Sequence, residues 1–245
     1  MLFNRLGPYI EPLLIPQQAG FRPDKSCTDQ ILNLTQHIED GFELGYNPRE
    51  ACIDLSATYD RIMINKPYHL TQDYELTKMI EAAQQNCRFF VEFQGRKTLW
   101  RTQKNRLPQR SVLSQTIFSI YTNNQPQPHR SRSFLYADDL ALAIQGKTFE
   151  EVEDLLTKGL QELASCYKKS HLQPNPTKTQ VCTFHLRNKD AWRRLRVDWE
   201  GSRLEDCFTP KYLGVTLDCA LTYKQHCTNT TLNCCSQQHP YKTHK

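Results

Sequence analysis

The sequence predicts an α+β fold in which an antiparallel sheet packs on helices. Three observations favour this class. Apolar side chains recur at helical spacing over 152–167, after a Thr148 and Glu151 pair that is typical of a capping box. Short apolar runs at 134–137 and 140–144 have the length of buried strands with a turn between them. With 245 residues, the chain is also long enough to bury a substantial core.

The beginning of the chain predicts an extended segment followed by a helix. Four prolines interrupt the first 23 residues and keep them extended or turning. Ser26 or Thr28 can cap the helix that follows, in which apolar side chains recur at helical spacing as far as Phe42. Gly45 and Pro48 then end it.

Shorter elements are predicted along the rest of the chain. Gln94 and Gly95 lie between two strand-like runs, so this region predicts a hairpin. Residues 227–245 are polar and show no periodicity, which predicts a disordered tail. The remaining expected strands are 51–55, 89–93, 98–100, 181–184 and 212–217, and the remaining expected helices are 76–87 and one that contains 117–121.

The charge of the chain permits a polyanionic partner without requiring one, since 31 Lys and Arg against 26 Asp and Glu give a net charge of +5. Basic residues cluster at 96–110 around Trp100 and at 187–203 around Trp192 and Trp199. Both clusters are able to contact phosphates while the aromatic rings stack on bases. A solvated surface would have the same composition, so that alternative stays open.

The cysteines and the apolar runs favour a reducing, intracellular compartment. The ten cysteines form no Cys-x-x-Cys pair, and no His-x-x-x-His pair completes a zinc finger. Cys52 and Cys182 lie in apolar segments, where a thiol packs as a small hydrophobic side chain, which favours a reducing environment. The first residues lack the apolar core of a signal peptide, and no run approaches the ~18 apolar residues of a membrane span. We therefore expect an intracellular protein, cytoplasmic or nuclear, that is neither secreted nor membrane-bound.

Three acidic residues stand out because they adjoin apolar strands. Asp54 lies near the end of the strand 51–55, and Asp138 and Asp139 lie at the turn of the second hairpin. If these strands are neighbours in one sheet, the three carboxylates converge into a hard-oxygen site suited to Mg²⁺. Two such ions, about 3.5–4 Å apart, would serve nucleotidyl or phosphoryl transfer. An Asp-Asp turn in a solvated hairpin is the alternative.

Several motifs follow one another along nearly the whole chain. In order, they are Gln-Ala-Gly-Phe-Arg-Pro at 18–23 with Thr-Asp-Gln-Ile at 28–31, Ile-Asp-Leu-Ser at 53–56 with Tyr59 and Asp60, Leu-Pro-Gln at 107–109 with 111–114 and 118–122, then 134–140, 175–179 and 211–215. This order resembles the palm region of reverse transcriptases, most closely those of non-LTR retrotransposons. The resemblance implies an RNA-directed DNA polymerase with an antiparallel palm sheet packed on helices.

The resemblance implies a role for each of the acidic residues. Asp54, Asp138 and Asp139 would be the catalytic and metal-binding residues, and they would hold two Mg²⁺ or Mn²⁺ ions. Lys178 would donate a proton to the leaving pyrophosphate. A surface lysine after a proline turn is the alternative for Lys178.

The resemblance also implies residues that bind the nucleotide and the primer. Tyr59 would lie under the incoming sugar and exclude a 2′-hydroxyl, unless it is a core tyrosine. Gln109 would help to hold the incoming nucleotide, and Leu213 and Gly214 would belong to the hairpin that grips the primer end. The implied partners are an RNA template, a DNA primer and deoxynucleoside triphosphates.

Departures from the family pattern leave alternatives open. Arg110 stands where the family usually has glycine, and a long charged side chain there would crowd the nucleotide pocket. The resemblance divides the chain into residual fingers with a leading helix at 1–50, a palm at 51–226 and the disordered tail at 227–245. We expect partial fingers and no complete thumb, as in a fragment. The alternatives are an inactive palm remnant or nucleic-acid-binding relic, an RNA-dependent RNA polymerase, and a metalloprotein without polymerase activity.

Overall fold

Helices and short strands alternate in the part of the chain that the computed structural model describes, which is residues 7–53, 78, 82, 88–102, 112–186 and 193–237. The helices are α1 (Cys27–Glu43), α2 (Val112–Tyr121), α3 (Phe149–Lys169) and α4 (Lys224–Gln237), and a 3₁₀ turn spans Glu11–Leu13. The strands are β1 (Asn47–Ile53), β2 (Arg88–Phe89), β3 (Glu92–Phe93), β4 (Arg96–Lys97), β5 (Arg101–Thr102), β6 (Ser131–Tyr136), β7 (Asp139–Gly146), β8 (Gln180–Thr183), β9 (Asp198–Trp199), β10 (Ser202–Arg203), β11 (Glu205–Asp206), β12 (Lys211–Tyr212) and β13 (Val215–Thr216).

The central sheet has five strands in the order β11-β8-β1-β7-β6. β6 and β7 form an antiparallel hairpin, β1 pairs antiparallel with both β7 and β8, and β11 adds a parallel edge. Residues 140–144 of β7 are all buried, because packed elements cover both faces of the sheet. The predicted α+β fold, with an antiparallel sheet packed on helices, is confirmed.

Each face of the sheet has its own core. On one face, Leu142 of β7 lies in a cluster with Leu156 of α3. On the other face, Ala141 lies in a second cluster with Leu34 of α1. Successive residues of a strand point to opposite faces, so a slip of one position would exchange the two sets. Burial on both faces therefore fixes the register of the hairpin.

The two long helices begin at side-chain caps. At α1, the Ser26 hydroxyl accepts the Asp29 N–H at 3.1 Å, and the Asp29 carboxylate accepts the Ser26 N–H at 2.9 Å. At α3, the Thr148 hydroxyl accepts the Glu151 N–H at 3.2 Å, but the Glu151 carboxylate accepts the N–H of Lys147 at 2.9 Å. The capping box predicted for α3 is therefore wrong in its second half, because the carboxylate reaches one residue further back.

β1 begins at Asn47, earlier than predicted, and so includes a proline. Pro48 faces Gln145 of β7, whereas the pairing with β8 begins only at Arg49. A residue without an N–H is tolerated there because the strand has a neighbour on one side only.

The segment predicted as one strand at 212–217 is instead the hairpin of β12 and β13. Leu213 and Gly214 form its turn, with φ of 47° and 86°. Positive φ at both loop residues is the pattern of a type I′ turn. Leucine rarely adopts this conformation, so the residue pattern predicted one strand, although the resemblance implied a hairpin at Leu213 and Gly214.

The predicted hairpin around Gln94 and Gly95 is present, with φ of 49° and 77° at these residues. The predicted strand 89–93 is divided into β2 and β3, and the predicted strand 98–100 is wrong, because those residues lie between β4 and β5. β3 pairs with β4 beside the turn and β2 pairs with β5 further out. The register changes by one residue between the two ladders, which indicates a β-bulge. Trp100 of this hairpin is 64% exposed.

The expectation of a disordered tail is wrong for residues 227–237, which belong to α4. This helix is polar and lacks apolar periodicity, and its threonine hydroxyls donate to carbonyls four residues earlier. The predicted helix at 76–87, except for helical positions 78 and 82, and residues 238–245 lie outside the described residues. No described helix has the length and apolar character needed to cross a membrane. The described cysteines form no disulfide.

Candidate active site

The hairpin of β6 and β7 carries one of the paired acidic residues on its two-residue loop and the other directly after it. Tyr136 pairs with Asp139, so the loop consists of Ala137 and Asp138, and the predicted turn at 138–139 is wrong by one position. Ala137 has a φ of 56°, in the left-handed region that residues other than glycine rarely adopt. Positive φ at the first loop residue alone matches a type II′ turn, which favours glycine at that place.

The two acidic side chains differ in exposure. Asp138 is half-buried and Asp139, the first residue of β7, is exposed. Carboxylate oxygens are the hard ligands that Mg²⁺ prefers, so this pair fits one side of a divalent-cation site. Within the described ranges, no three His, Cys, Asp or Glu side chains gather into a complete metal site. The third predicted ligand, Asp54, and the predicted nucleotide-binding residues Tyr59 and Gln109 lie outside those ranges.

The strand that precedes Asp54 ends beside this loop. Ile53, the last residue of β1, pairs with Leu140, the second residue of β7. On the other side of β1, Cys52 pairs with Gln180 at the start of β8. The end of β1 and the starts of β7 and β8 therefore lie together at the same end of the sheet.

Lys178 is exposed, in the turn that joins α3 to β8. The Asn175 carbonyl accepts the Lys178 N–H at 3.1 Å, and it also accepts the N–H and the hydroxyl of Thr179 at 3.0 and 2.9 Å. The turn leads into Gln180, so Lys178 lies at the end of the sheet where β8 begins.

The hairpin of β12 and β13 contacts the strand that leads into the acidic loop. The Tyr212 hydroxyl donates to the Phe134 carbonyl at 3.0 Å, and both residues are buried. Leu213 and Gly214, which the resemblance assigns to the primer grip, form the turn of this hairpin, with Gly214 exposed. The structure therefore joins the predicted primer-grip hairpin to the hairpin that carries the carboxylates.

Tyr136, directly before the loop, contacts the first residue of α1. Hydrogen bonding to the Cys27 side chain, and then burial, raises the pKa of Tyr136 above its ordinary value. The contact ties the beginning of α1 to the acidic hairpin.

The sequence did not predict the residues that form hydrogen bonds with the loop between β6 and β7. Gln18 is 1% exposed. Its Oε1 accepts the Ala137 N–H at 3.0 Å, and its Nε2 donates to the Ala137 carbonyl at 3.3 Å. The Gly20 N–H donates to the same Gln18 Oε1 at 2.8 Å. A glycine outside any predicted turn was the signal in the sequence, because such a glycine often marks a close approach of two backbones.

Arg22 fixes the segment that carries Gln18. Its side chain is 9% exposed and forms an ion pair with Glu11 at 2.6 Å. The same guanidinium donates to the carbonyls of Ile15 and Gln18 at 2.8 and 2.9 Å. Arg22 is therefore engaged in contacts that stabilise this segment.

An antiparallel sheet backed by helices, with Asp138 on a hairpin loop and Asp139 directly after it, is the arrangement of the palm of a nucleic-acid polymerase. The chain belongs to the reverse transcriptase family, since the family model described as "Reverse transcriptase (RNA-dependent DNA polymerase)" matches residues 1–217. The family assignment made from the sequence motifs is confirmed. Reverse transcriptases use divalent metal ions and bind nucleic acid.

Curated relatives are polymerases of transposable elements. The chain is 28% identical to a probable RNA-directed DNA polymerase from transposon BS of Drosophila melanogaster, over 96% of this chain and 27% of that protein. It is 25% identical to the RNA-directed DNA polymerase from mobile element jockey of Drosophila funebris, over 92% of this chain and 25% of that protein. The chain thus spans about a quarter of the length of these relatives. Among solved structures, apo telomerase from Candida tropicalis, truncated from its C-terminal domain, matches with a TM-score of 0.49 and 11% identity, over 91% of this chain and 44% of that chain.

Proposed function

We propose that this chain is the palm of an RNA-directed DNA polymerase in which Asp54, Asp138 and Asp139 hold two Mg²⁺ or Mn²⁺ ions. The register of β1 against β7 carries the proposal. Ile53 pairs with Leu140, so one further step of the same ladder would set Asp54 opposite Asp139. With Asp54 there, three carboxylates would supply the oxygen ligands that a pair of divalent ions requires.

The bound ions would activate the primer 3′-hydroxyl and stabilise the charge of the leaving pyrophosphate. The residues of the chain would position the reactants around them. Lys178, at the start of β8, is proposed to protonate the leaving pyrophosphate. Tyr59 is proposed to exclude a 2′-hydroxyl and Gln109 to hold the incoming nucleotide. Nucleotide choice would then follow from the aromatic ring beneath the sugar.

The proposed partners are an RNA template and a DNA primer. Leu213 and Gly214 are proposed to hold the primer end, and the buried contact between Tyr212 and Phe134 supports this because it keeps that hairpin beside the acidic loop. The net charge of +5 favours the binding of a polyanion.

Primer extension on a poly(rA)/oligo(dT) template with Mg²⁺ tests the proposal. We expect the wild type to incorporate dTMP and Asp138→Asn to abolish incorporation. Asp154→Asn is the matched control, because Asp154 is exposed on α3 and forms an ion pair with a lysine one turn away, at a distance from the acidic loop in sequence and on a different element. Incorporation that is equal in the two variants would contradict the proposal.

Two further comparisons separate the alternatives. If the wild type incorporates nothing and Arg110→Gly does not restore incorporation, the chain is an inactive palm remnant. If ribonucleotides are incorporated as readily as deoxynucleotides, Tyr59 does not select the sugar and an RNA-dependent RNA polymerase is favoured.

A further inference from the structure

The segment before α1 docks along the outer edge of β6 and reaches the acidic loop. The Ala19 N–H donates to the Leu135 carbonyl at 2.8 Å, and the Leu135 N–H donates to the Gln17 carbonyl at 3.3 Å. These bonds form a short parallel bridge between Gln18 and Leu135. The segment therefore covers an edge of the sheet next to the loop.

The Gln18 side chain extends this docking onto the loop itself. Its amide makes one hydrogen bond to the N–H and another to the carbonyl of Ala137. Gln18 is 1% exposed, so water does not compete for these bonds. The Gln18 side chain thus bonds both the N–H and the carbonyl of Ala137, the residue with the positive φ.

Gly20 allows the two backbones to approach. A Cβ at this position would lie 2.1 Å from the Ala137 N and 2.8 Å from its Cα. No side chain fits such a space, so the Gly20 main chain lies directly against the loop. The Gly20 N–H and the Ala137 N–H converge on the same Gln18 oxygen.

Ala137 needs this support. Its φ of 56° is unfavourable for an alanine, since Cβ crowds the carbonyl oxygen in the left-handed region. Unusual backbone conformations persist only where surrounding contacts hold them. Without Gln18, the loop would relax toward ordinary φ values, and the carboxylates that follow Ala137 would change direction.

We infer that Gln18 is a positioning residue, which holds Ala137 in its left-handed conformation and thereby aims Asp138 and Asp139 at the divalent ions. The part that concerns the ions rests on the proposed function. The part that concerns the backbone of Ala137 holds for the metal-free chain. The two parts are therefore tested by separate measurements.

The first measurement is hydrogen exchange of the Ala137 amide in the metal-free full chain. Gln18→Met keeps the length of the side chain and removes both hydrogen bonds, so we expect exchange roughly tenfold faster. Gln30→Met is the matched control, because Gln30 is also buried and its Nε2 donates to the Gln17 and Leu135 carbonyls at 3.2 and 3.4 Å, and not to Ala137. Wild-type exchange in Gln18→Met, or an equal increase in Gln30→Met, overturns the positioning role.

The second measurement is the affinity for Mn²⁺, titrated by its electron paramagnetic resonance signal. We expect Gln18→Met to weaken binding roughly tenfold, by the loss of one to two hydrogen bonds that hold the site. Ala137→Gly in the same chain should recover part of this affinity, because glycine adopts positive φ without cost. An unchanged affinity in Gln18→Met, or no recovery in the double variant, overturns the link to the ions.

Two outcomes keep the inference apart from the proposed function. If the wild type binds no Mn²⁺, the proposed function fails, while the exchange of the Ala137 amide still decides the positioning role. If Gln18→Met does not fold, Gln18→Asn replaces it, since the amide stays polar but is shorter by one methylene and withdraws from both groups of Ala137. Exchange of the Ala137 amide faster in Gln18→Asn than in the wild type supports the role, and wild-type exchange overturns it.

Discussion

The Tyr212 hydroxyl donates a hydrogen bond to the Phe134 carbonyl at 3.0 Å, with both residues nearly inaccessible to solvent. Tyr212 lies in the hairpin that bears Leu213 and Gly214, and Phe134 lies in the strand that leads to the acidic loop. Movement of one hairpin relative to the other would break a buried bond. The contact therefore fixes the distance between the proposed primer grip and the proposed catalytic carboxylates.

Removal of this bond should lower stability. Tyr212→Phe keeps the ring and leaves the Phe134 carbonyl without that donor, so we expect the free energy of unfolding to fall by about 1 kcal/mol. Urea denaturation followed by circular dichroism measures the change. Tyr9→Phe is the control, because Tyr9 is 73% exposed and should lose little. Equal losses in the two variants would mean that the buried bond contributes nothing.

A methyl group at position 20 should disrupt the acidic loop. Gly20→Ala would place a carbon 2.1 Å from the Ala137 N, so we expect a loss of about 3 kcal/mol or failure to fold. Gly7→Ala is the matched control, because nothing lies within 4 Å of its added carbon. Thermal unfolding of the two variants checks this, and a Gly20→Ala melting temperature equal to that of Gly7→Ala would contradict the close approach of the two backbones.

Stability should fall in mild acid because of His37. Burial, and then the charge of Arg132, lowers the pKa of His37 below 6.5, while Asp40 partly opposes this. Below pH 6.5, His37 takes up a proton more readily in the unfolded chain than in the folded chain. The contribution of neutral His37 to the free energy of unfolding is therefore fully present above that pH and is lost as the pH falls.

Melting temperatures at about pH 7.5 and about pH 5.5 measure this effect. We expect His37→Gln to show a smaller decrease than the wild type. His129→Gln, at an exposed histidine, should retain the wild-type decrease. A decrease that is unchanged in His37→Gln would assign the pH dependence to other groups.

Lys178 should affect turnover more than nucleotide binding. If it protonates the leaving pyrophosphate, Lys178→Ala should lower kcat roughly a hundredfold while KM for dTTP changes little. Lys158→Ala is the control, because Lys158 is exposed on α3 and forms an ion pair with Asp154 on the same helix. Steady-state primer extension measures both constants. Similar activity in the two variants would make Lys178 a surface lysine.

Helices α1 and α3 follow from local patterns, and so they were predicted from sequence. The spacing of Leu34 and Ile38 in α1, and of Leu156 and Leu160 in α3, places these side chains on one face of each helix, and all four are fully buried. The caps at Ser26 and Thr148 are equally local. The local residue pattern did not predict the turn at Leu213, because leucine has no preference for positive φ, and only the family resemblance implied a hairpin there.

The sequence by itself determined the family of this chain, its amphipathic helices and the position of the paired acidic residues between two apolar runs. These features depend on residue type and short-range spacing, which can be read without coordinates. Only the tertiary structure decided the backbone conformation that carries Asp138. The bonds that hold Ala137 come from Gln18, which is 119 residues away along the chain, and no local pattern specifies a contact at that separation.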